Sequence, residues 1–164
     1  MIAVDTNILV YALRKDATQH AAALSALTGL ADGPVRWAIP DQVIGEFLRV
    51  VTDPRAPVDL GLVRAVAWMD ALLASSSVEI LGSGPRHWQI LKDVVIGADA
   101  RGTDVHDARL VALCLEHGVD RVLSEDRNLR RFDDITVIGL GDYGTVRERA
   151  PRYRATRRRV PTAR

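Results

Sequence analysis

Five short apolar runs alternate with helix-forming stretches along this chain, and that alternation leaves few folds open. IAV ahead of Asp5, VRWAIP ahead of Asp41, then VEIL, DRVLS and DITVIG each have the length and apolar character of a buried strand. Between them, HAAALSALTGL is rich in helix formers and stops at Gly29 and Gly33, while a helix over residues 41 to 51 is ended by Asp53 and Pro54. The window VDLGLVRAVAWMDALLAS repeats Leu62, Val66, Met69 and Leu73 near helical spacing. Pro85 suits the first turn of a helix through HWQILKDVVIGADA, and residues 104 to 116 form another that closes at Gly118. Strands separated by helices need crossover connections, so the chain is expected to build an α/β fold with a parallel, helix-covered sheet.

The 164 residues suffice for one domain with a proper core and are too few for two of ordinary size. No apolar run approaches the roughly 18 to 20 residues that cross a bilayer, and no basic segment precedes an apolar stretch at the N-terminus. The expectation is a cytoplasmic protein with no membrane contact. Cys114, the single cysteine, lies in LVALCLEHG and reads as core. Trp37, Trp68, Trp88 and Phe47 are likewise expected to pack inside. The net charge of +1 hides an asymmetry: eight Arg and one Glu give residues 147 to 164 a charge of +7, which leaves −6 on residues 1 to 146. Apolar periodicity ends near Gly141, so residues 1 to 141 are expected to fold as the domain and residues 142 to 164 to form a basic, flexible arm.

Four carboxylates fall where a parallel sheet would gather them. Ligand sites in such sheets lie beyond the carboxyl ends of the strands, where the strand order reverses. Asp5 ends the first strand, and Asp126 follows the strand in RVLSEDRN. Glu46 is one helical turn from Val43 and Val50, and is expected along the buried stripe of its helix; Asp107 opens a helix one turn before Leu110 and Val111. Four such groups in one pocket would repel one another unless a cation were present, and hard oxygen donors suit Mg²⁺ or Mn²⁺ rather than zinc. Each acid also has a purely structural use. Asp5 can cap a helix or close an Asx-turn, Asp104 with Asp107 three residues on matches a capping box, Glu46 can flank an apolar stripe, and Asp126 can serve a turn.

The motifs DTNILVYAL at residues 5 to 13, IPDQVIGEFLRVV in the middle, and HDARLVALCLEHGVDRVLSEDRNLRRF at residues 106 to 132 resemble those of PIN-domain nucleases, and among them the VapC-like toxins of toxin–antitoxin pairs. The resemblance implies a three-layer PIN-like fold, a mostly parallel sheet of about five strands with helices on both faces, and an endoribonuclease using Mg²⁺ or Mn²⁺. Carried over by motif, Asp5, Glu46, Asp107 and Asp126 are the catalytic acids. Asp5, Asp107 and Asp126 are then metal ligands, and Glu46 either ligates or orients water. Thr6, Asn7 and Ser124 support them, and Asp104 competes for the third position but fits a cap or peripheral role better. Where the family often has a second acid and then Phe after the last motif acid, this chain has Asn128 and Leu129.

The resemblance further implies an RNA substrate, a cognate antitoxin and a homodimer. An acidic pocket needs cations elsewhere to hold phosphate, and Arg14, Arg49, Arg127 and Arg130 are the candidates, with the Arg-rich arm either solubilising or RNA-binding. Two other readings stay open. One is a phosphotransferase or phosphatase using Asp5 as nucleophile, although that chemistry wants a second Asp where Asn7 stands. The other is a PIN-like module that binds RNA without cleaving it.

Overall fold

All five apolar runs become strands, and every pairing between them is parallel. The computed structural model describes residues 1–148. The strands are β1 (Ile2–Val4), β2 (Trp37–Pro40), β3 (Val78–Leu81), β4 (Arg121–Leu123) and β5 (Thr136–Ile138), in the spatial order β3-β2-β1-β4-β5. The helices are α1 (Thr6–Leu13), α2 (His20–Ala31), α3 (Asp41–Val51), α4 (Leu62–Leu73), α5 (His87–Gly97), α6 (Asp104–Glu116) and α7 (Leu140–Glu148), with a 3-10 turn over Asn128–Arg131.

Strand order sets which face each helix covers. From β1 the chain steps outward to β2 and β3, then crosses back to β4 and steps the opposite way to β5. With right-handed crossovers, α1 to α4 belong on one face, and α5, α6 and the 3-10 turn on the other. The contacts agree: α1 packs on α2 and α3, and α3 on α4, whereas α6 packs on α5 and the 3-10 turn. The direction reverses between β1 and β4, whose register pairs Val4 with Leu123 and brings Asp5 beside Ser124.

The core runs through the sheet. Ala3, Val4, Ala38, Ile39, Val122 and Leu123 have no exposed surface, and Ile8, Leu9, Val43, Phe47, Leu110 and Val111 join them in the core from the helices. Trp37 is fully buried because its indole N–H finds Ser77 Oγ at 3.2 Å. Phe47 stacks on half-buried Trp68 with centroids 4.9 Å apart, and Cys114 is buried as expected. Trp88 is the correction among the aromatics: it stands 71% exposed on α5.

Helix limits differ from the sequence expectation where tertiary partners intervene. Asp59 accepts from the Gly61 N–H at 3.0 Å, and Gly61 takes φ 68°, so α4 begins only at Leu62. The Gly84 and Arg86 N–H groups are captured by Glu116 at 3.0 and 2.9 Å, which delays α5 to His87. Helix α7 was not expected. It crosses the boundary drawn at residue 141 and packs on α2, with Leu140 and Tyr143 against the core. Residues 149 to 164, most of the basic arm, lie outside the described residues. No helix among the described residues is long and apolar enough to cross a membrane.

Candidate active site

Asp5 is the last residue before α1 and the first beyond β1, and its carboxylate serves both positions. Oδ1 accepts from the Thr6 N–H at 2.6 Å, capping α1, while Oδ2 accepts from Asn7 Nδ2 and Ser124 Oγ, each at 2.6 Å. The cap reading was therefore correct in geometry, and the same group still faces the strand-end crevice. Asn7 Nδ2 also donates to Ser124 Oγ at 2.9 Å, and Asn7 Oδ1 accepts from the Glu125 N–H at 3.1 Å. Ser124 Oγ accepts a second bond, from the Asp126 N–H at 2.9 Å. The Ser124 hydroxyl thereby uses its donor and both acceptor positions, and the Asn7 amide both donors and one of its two acceptor positions. These two side chains lock the loop after β4 to the start of α1.

The other acids arrive from both faces of the sheet. Glu46, on α3, does not lie along the buried stripe: Val43, Phe47 and Val51 occupy it, and the Glu46 side chain is 48% exposed at its flank. There Thr6 Oγ1 donates to its Oε2 at 2.8 Å, and Arg49 stands 3.6 Å from its Oε1. Asp107, half-buried, is in the first turn of α6. Asp126 accepts from the Asn128 N–H at 2.8 Å, so it is a turn residue as well as a member of the cluster.

Electrostatics tie the group together. Burial pushes the Asp5 carboxyl up to about 6; bonds from Ser124 and Thr6 oppose that rise, and the charges of Glu46 and Asp126 add to it. Asp107 is also pushed up to about 6, first by burial and then by Asp126, Asp5, Asp104 and Glu46. Two hollows open on the cluster, of about 330 and 670 Å³, and Glu46, Asp107 and Asp126 line both. Asp5, Thr6 and Asn7 line the smaller one.

Asp104 lines the larger hollow and adds to the charge that raises Asp107, but it is engaged elsewhere. Its carboxylate is held by the Arg131 guanidinium, which also donates to the Ala98 carbonyl at 2.9 Å, and it is the first residue of α6 rather than its cap. Of the four arginines considered from sequence, Arg14 lines the smaller hollow while paired to Asp16 at 2.8 Å, and Arg49 lines the larger. Arg127 and Arg130 line neither. Sequence reasoning missed Arg109, three residues after His106 on α6, which lines the larger hollow with an Nη2 3.4 Å from Asp41 Oδ1. It also missed Gln42, which joins α3 to α6 by donating to the His106 carbonyl at 3.0 Å.

Fold and site together define a doubly wound parallel α/β domain with a carboxylate cluster at its topological switch point. The family model for the PIN domain matches residues 2–135. Ribonuclease VapC43 of Mycobacterium tuberculosis is 39% identical over 140 residues, covering 80% of this chain and 90% of the relative. The chain belongs to the PIN domain family, among the VapC ribonucleases. Solved structures agree on the fold. VapBC2 from Rickettsia felis, bound to a promoter DNA fragment, superposes with a TM-score of 0.62 at 17% identity over 85% of this chain and 98% of that one. Mycobacterium tuberculosis VapC20, a toxin that cleaves the sarcin-ricin loop, gives 0.58 at 18% identity, over 89% and 95%.

Proposed function

We propose that this chain is a divalent-metal-dependent endoribonuclease, the toxin of a toxin–antitoxin pair. The observation that carries the reading is the meeting of Asp5, Glu46, Asp107 and Asp126, drawn from the ends of two adjacent strands and from helices on opposite faces. Burial first, and then the neighbouring carboxylates, raise Asp5 and Asp107. VapC43, similar over nearly its whole length, bears the name ribonuclease.

The donor set fits Mg²⁺ or Mn²⁺ and not a soft ion, since every member is a carboxylate oxygen. Among the described residues no three His, Cys, Asp or Glu side chains already stand as ligands of one ion. Mg²⁺ does not require such a set, because it keeps several of its waters and is held by one or two carboxylates together with substrate phosphate. When bound, the ion would neutralise the scissile phosphate and acidify a water. The chain's own contribution is positional. Thr6, Asn7 and Ser124 hold Asp5 by both oxygens, and Thr6 aims Glu46, whose exposed carboxylate can orient the attacking water and take its proton. Asp107 and Asp126 bring negative charge from the opposite side of the crevice.

A phosphoaspartyl route through Asp5 is disfavoured by the three bonds that occupy its oxygens. The proposal extends to a cognate antitoxin covering the acidic crevice, to a homodimer and to the cytoplasm as the site of action. Substituting Asp5→Asn abolishes RNA cleavage with the circular dichroism spectrum unchanged; an active, folded variant refutes the assignment.

A further inference from the structure

The two hollows differ in what they offer. Because Glu46, Asp107 and Asp126 line both, an RNA strand whose scissile phosphate lies over these acids places one neighbouring nucleotide in each hollow. The larger, about 670 Å³, is within the size range of small-ligand sites. Its wall on α3 includes Gly45, in the interior of a helix, where glycine is a poor helix former. No neighbour requires it: a Cβ at Gly45 would meet nothing within 4 Å. What the missing side chain supplies is room beside Glu46.

The rim supplies charge. Arg49 on α3 and Arg109 on α6 each touch a carboxylate through one Nη2, at 3.6 and 3.4 Å, in partly exposed geometry rather than as bidentate forks. A guanidinium has five N–H donors, so such a contact leaves most of the fork for a phosphate. Exposed His106 and Asn128 add groups able to bond a base edge.

We propose that the larger hollow is a nucleotide subsite. The unpaired base adjoining the scissile phosphate sits against Gly45, its phosphate is held by Arg49 and Arg109, and the space at Gly45 limits the size of base accepted. A base reaches such a hollow only when turned out of its stack, so the nucleotide beside the cut must be unpaired. This inference rests on the ribonuclease reading above.

The test uses the full chain with Mg²⁺ and short single-stranded RNAs whose cleavage position is first mapped with wild type. Abasic sugars are then placed singly at the two nucleotides adjoining the cut, against wild type, Gly45→Ala and Gly45→Leu. Removing one of the two bases is expected to slow wild type about tenfold, the upper end of one net hydrogen bond to a base edge. Gly45→Leu is expected to cleave intact RNA about tenfold more slowly, the same loss as removing the base, and to lose nothing further with that abasic RNA. Gly45→Ala should fall between and penalise a purine there more than a pyrimidine. Gly45 is exposed, so both variants should keep the wild-type circular dichroism spectrum, and the Ala series decides alone if Leu does not fold. Equal abasic penalties in wild type and the Gly45 variants, or no penalty in wild type at either position, overturn the subsite while leaving the ribonuclease reading standing. A wild type that cuts no RNA overturns the ribonuclease reading, and the subsite with it.

Discussion

Asp5→Asn should change how stability depends on pH, in a direction that the raised carboxyl value fixes. Asp5 titrates near 3.8 when unperturbed and at about 6 in the folded protein. The folded state therefore binds the proton more tightly than the unfolded state does. Its relative stabilisation is complete below pH 3.8 and is lost as pH rises through about 6. A difference of roughly 2 pKa units corresponds to about 3 kcal/mol, of which about 2 should be lost between pH 4 and pH 7. Asn does not titrate. In the variant Asp107 is also relieved of the Asp5 charge that helps to raise it, which adds to the divergence in the same sense. Rearranged bonds to Thr6, Asn7 and Ser124 shift the variant by an amount independent of pH, so the diagnostic is the slope of the difference rather than its offset. Urea unfolding in chelator at intervals from pH 4 to 7.5 measures it. Wild type should lose about 2 kcal/mol relative to Asp5→Asn across that range. Parallel profiles, or divergence in the opposite sense, refute the claim that burial among like charges raises this group.

Ser124→Ala removes a bond that holds the Asp5 value down, and a bond to a charged group is worth about 1.5 to 3 kcal/mol, so the acid limb of the cleavage–pH profile should move up by roughly 1 to 2 pH units. Measured rates in Mg²⁺ from pH 5 to 8 check it, and an unmoved limb counts against Ser124 as the group that tunes Asp5. The neighbouring acids of α6 should part company: Asp107→Asn is expected to lower kcat/KM at least a hundredfold, whereas Asp104→Asn, already engaged by Arg131, should cost less than about tenfold. Equal losses in steady-state assays would return Asp104 to the site.

Helix limits were legible where the stop signals are local. The run ending at Pro40, followed by Asp53 and Pro54, brackets α3 at residues 41 to 51, and Gly118 with φ 68° closes α6 as its position suggests. They were illegible where the deciding group is remote. Glu116 is 30 residues beyond the Arg86 N–H that it captures, and nothing near HWQILKDVV announces it. Helix α7 lacks an apolar stripe. Leu140 and Tyr143 dock it, and its Leu140 N–H is held by Glu125 Oε1 at 2.6 Å, a partner from the loop after β4. Periodicity records which side of a segment is buried and is silent about a short helix fastened by its end.

The acids were legible as a set because a parallel sheet with a reversal brings certain strand ends together, and β1 beside β4 is that reversal. Their individual choices between structural and chemical use were not, and the geometry shows why: Asp5 and Asp126 each hold a backbone N–H and still belong to the cluster, so capping a backbone group does not exclude a carboxylate from the crevice. The larger hollow was hidden for a different reason, since its defining feature at Gly45 is a side chain that is missing. Gathering the acids has an energetic consequence for the whole domain. Raised values at Asp5 and Asp107 make the contribution of these two groups to the cation-free fold largest toward acid pH, while the charge that would attract a cation is fully developed only above about 6. The pH at which the cluster contributes most to stability and the pH at which it best attracts a cation therefore differ, and a cation that binds only the folded state would draw them back together by stabilising the ionised cluster.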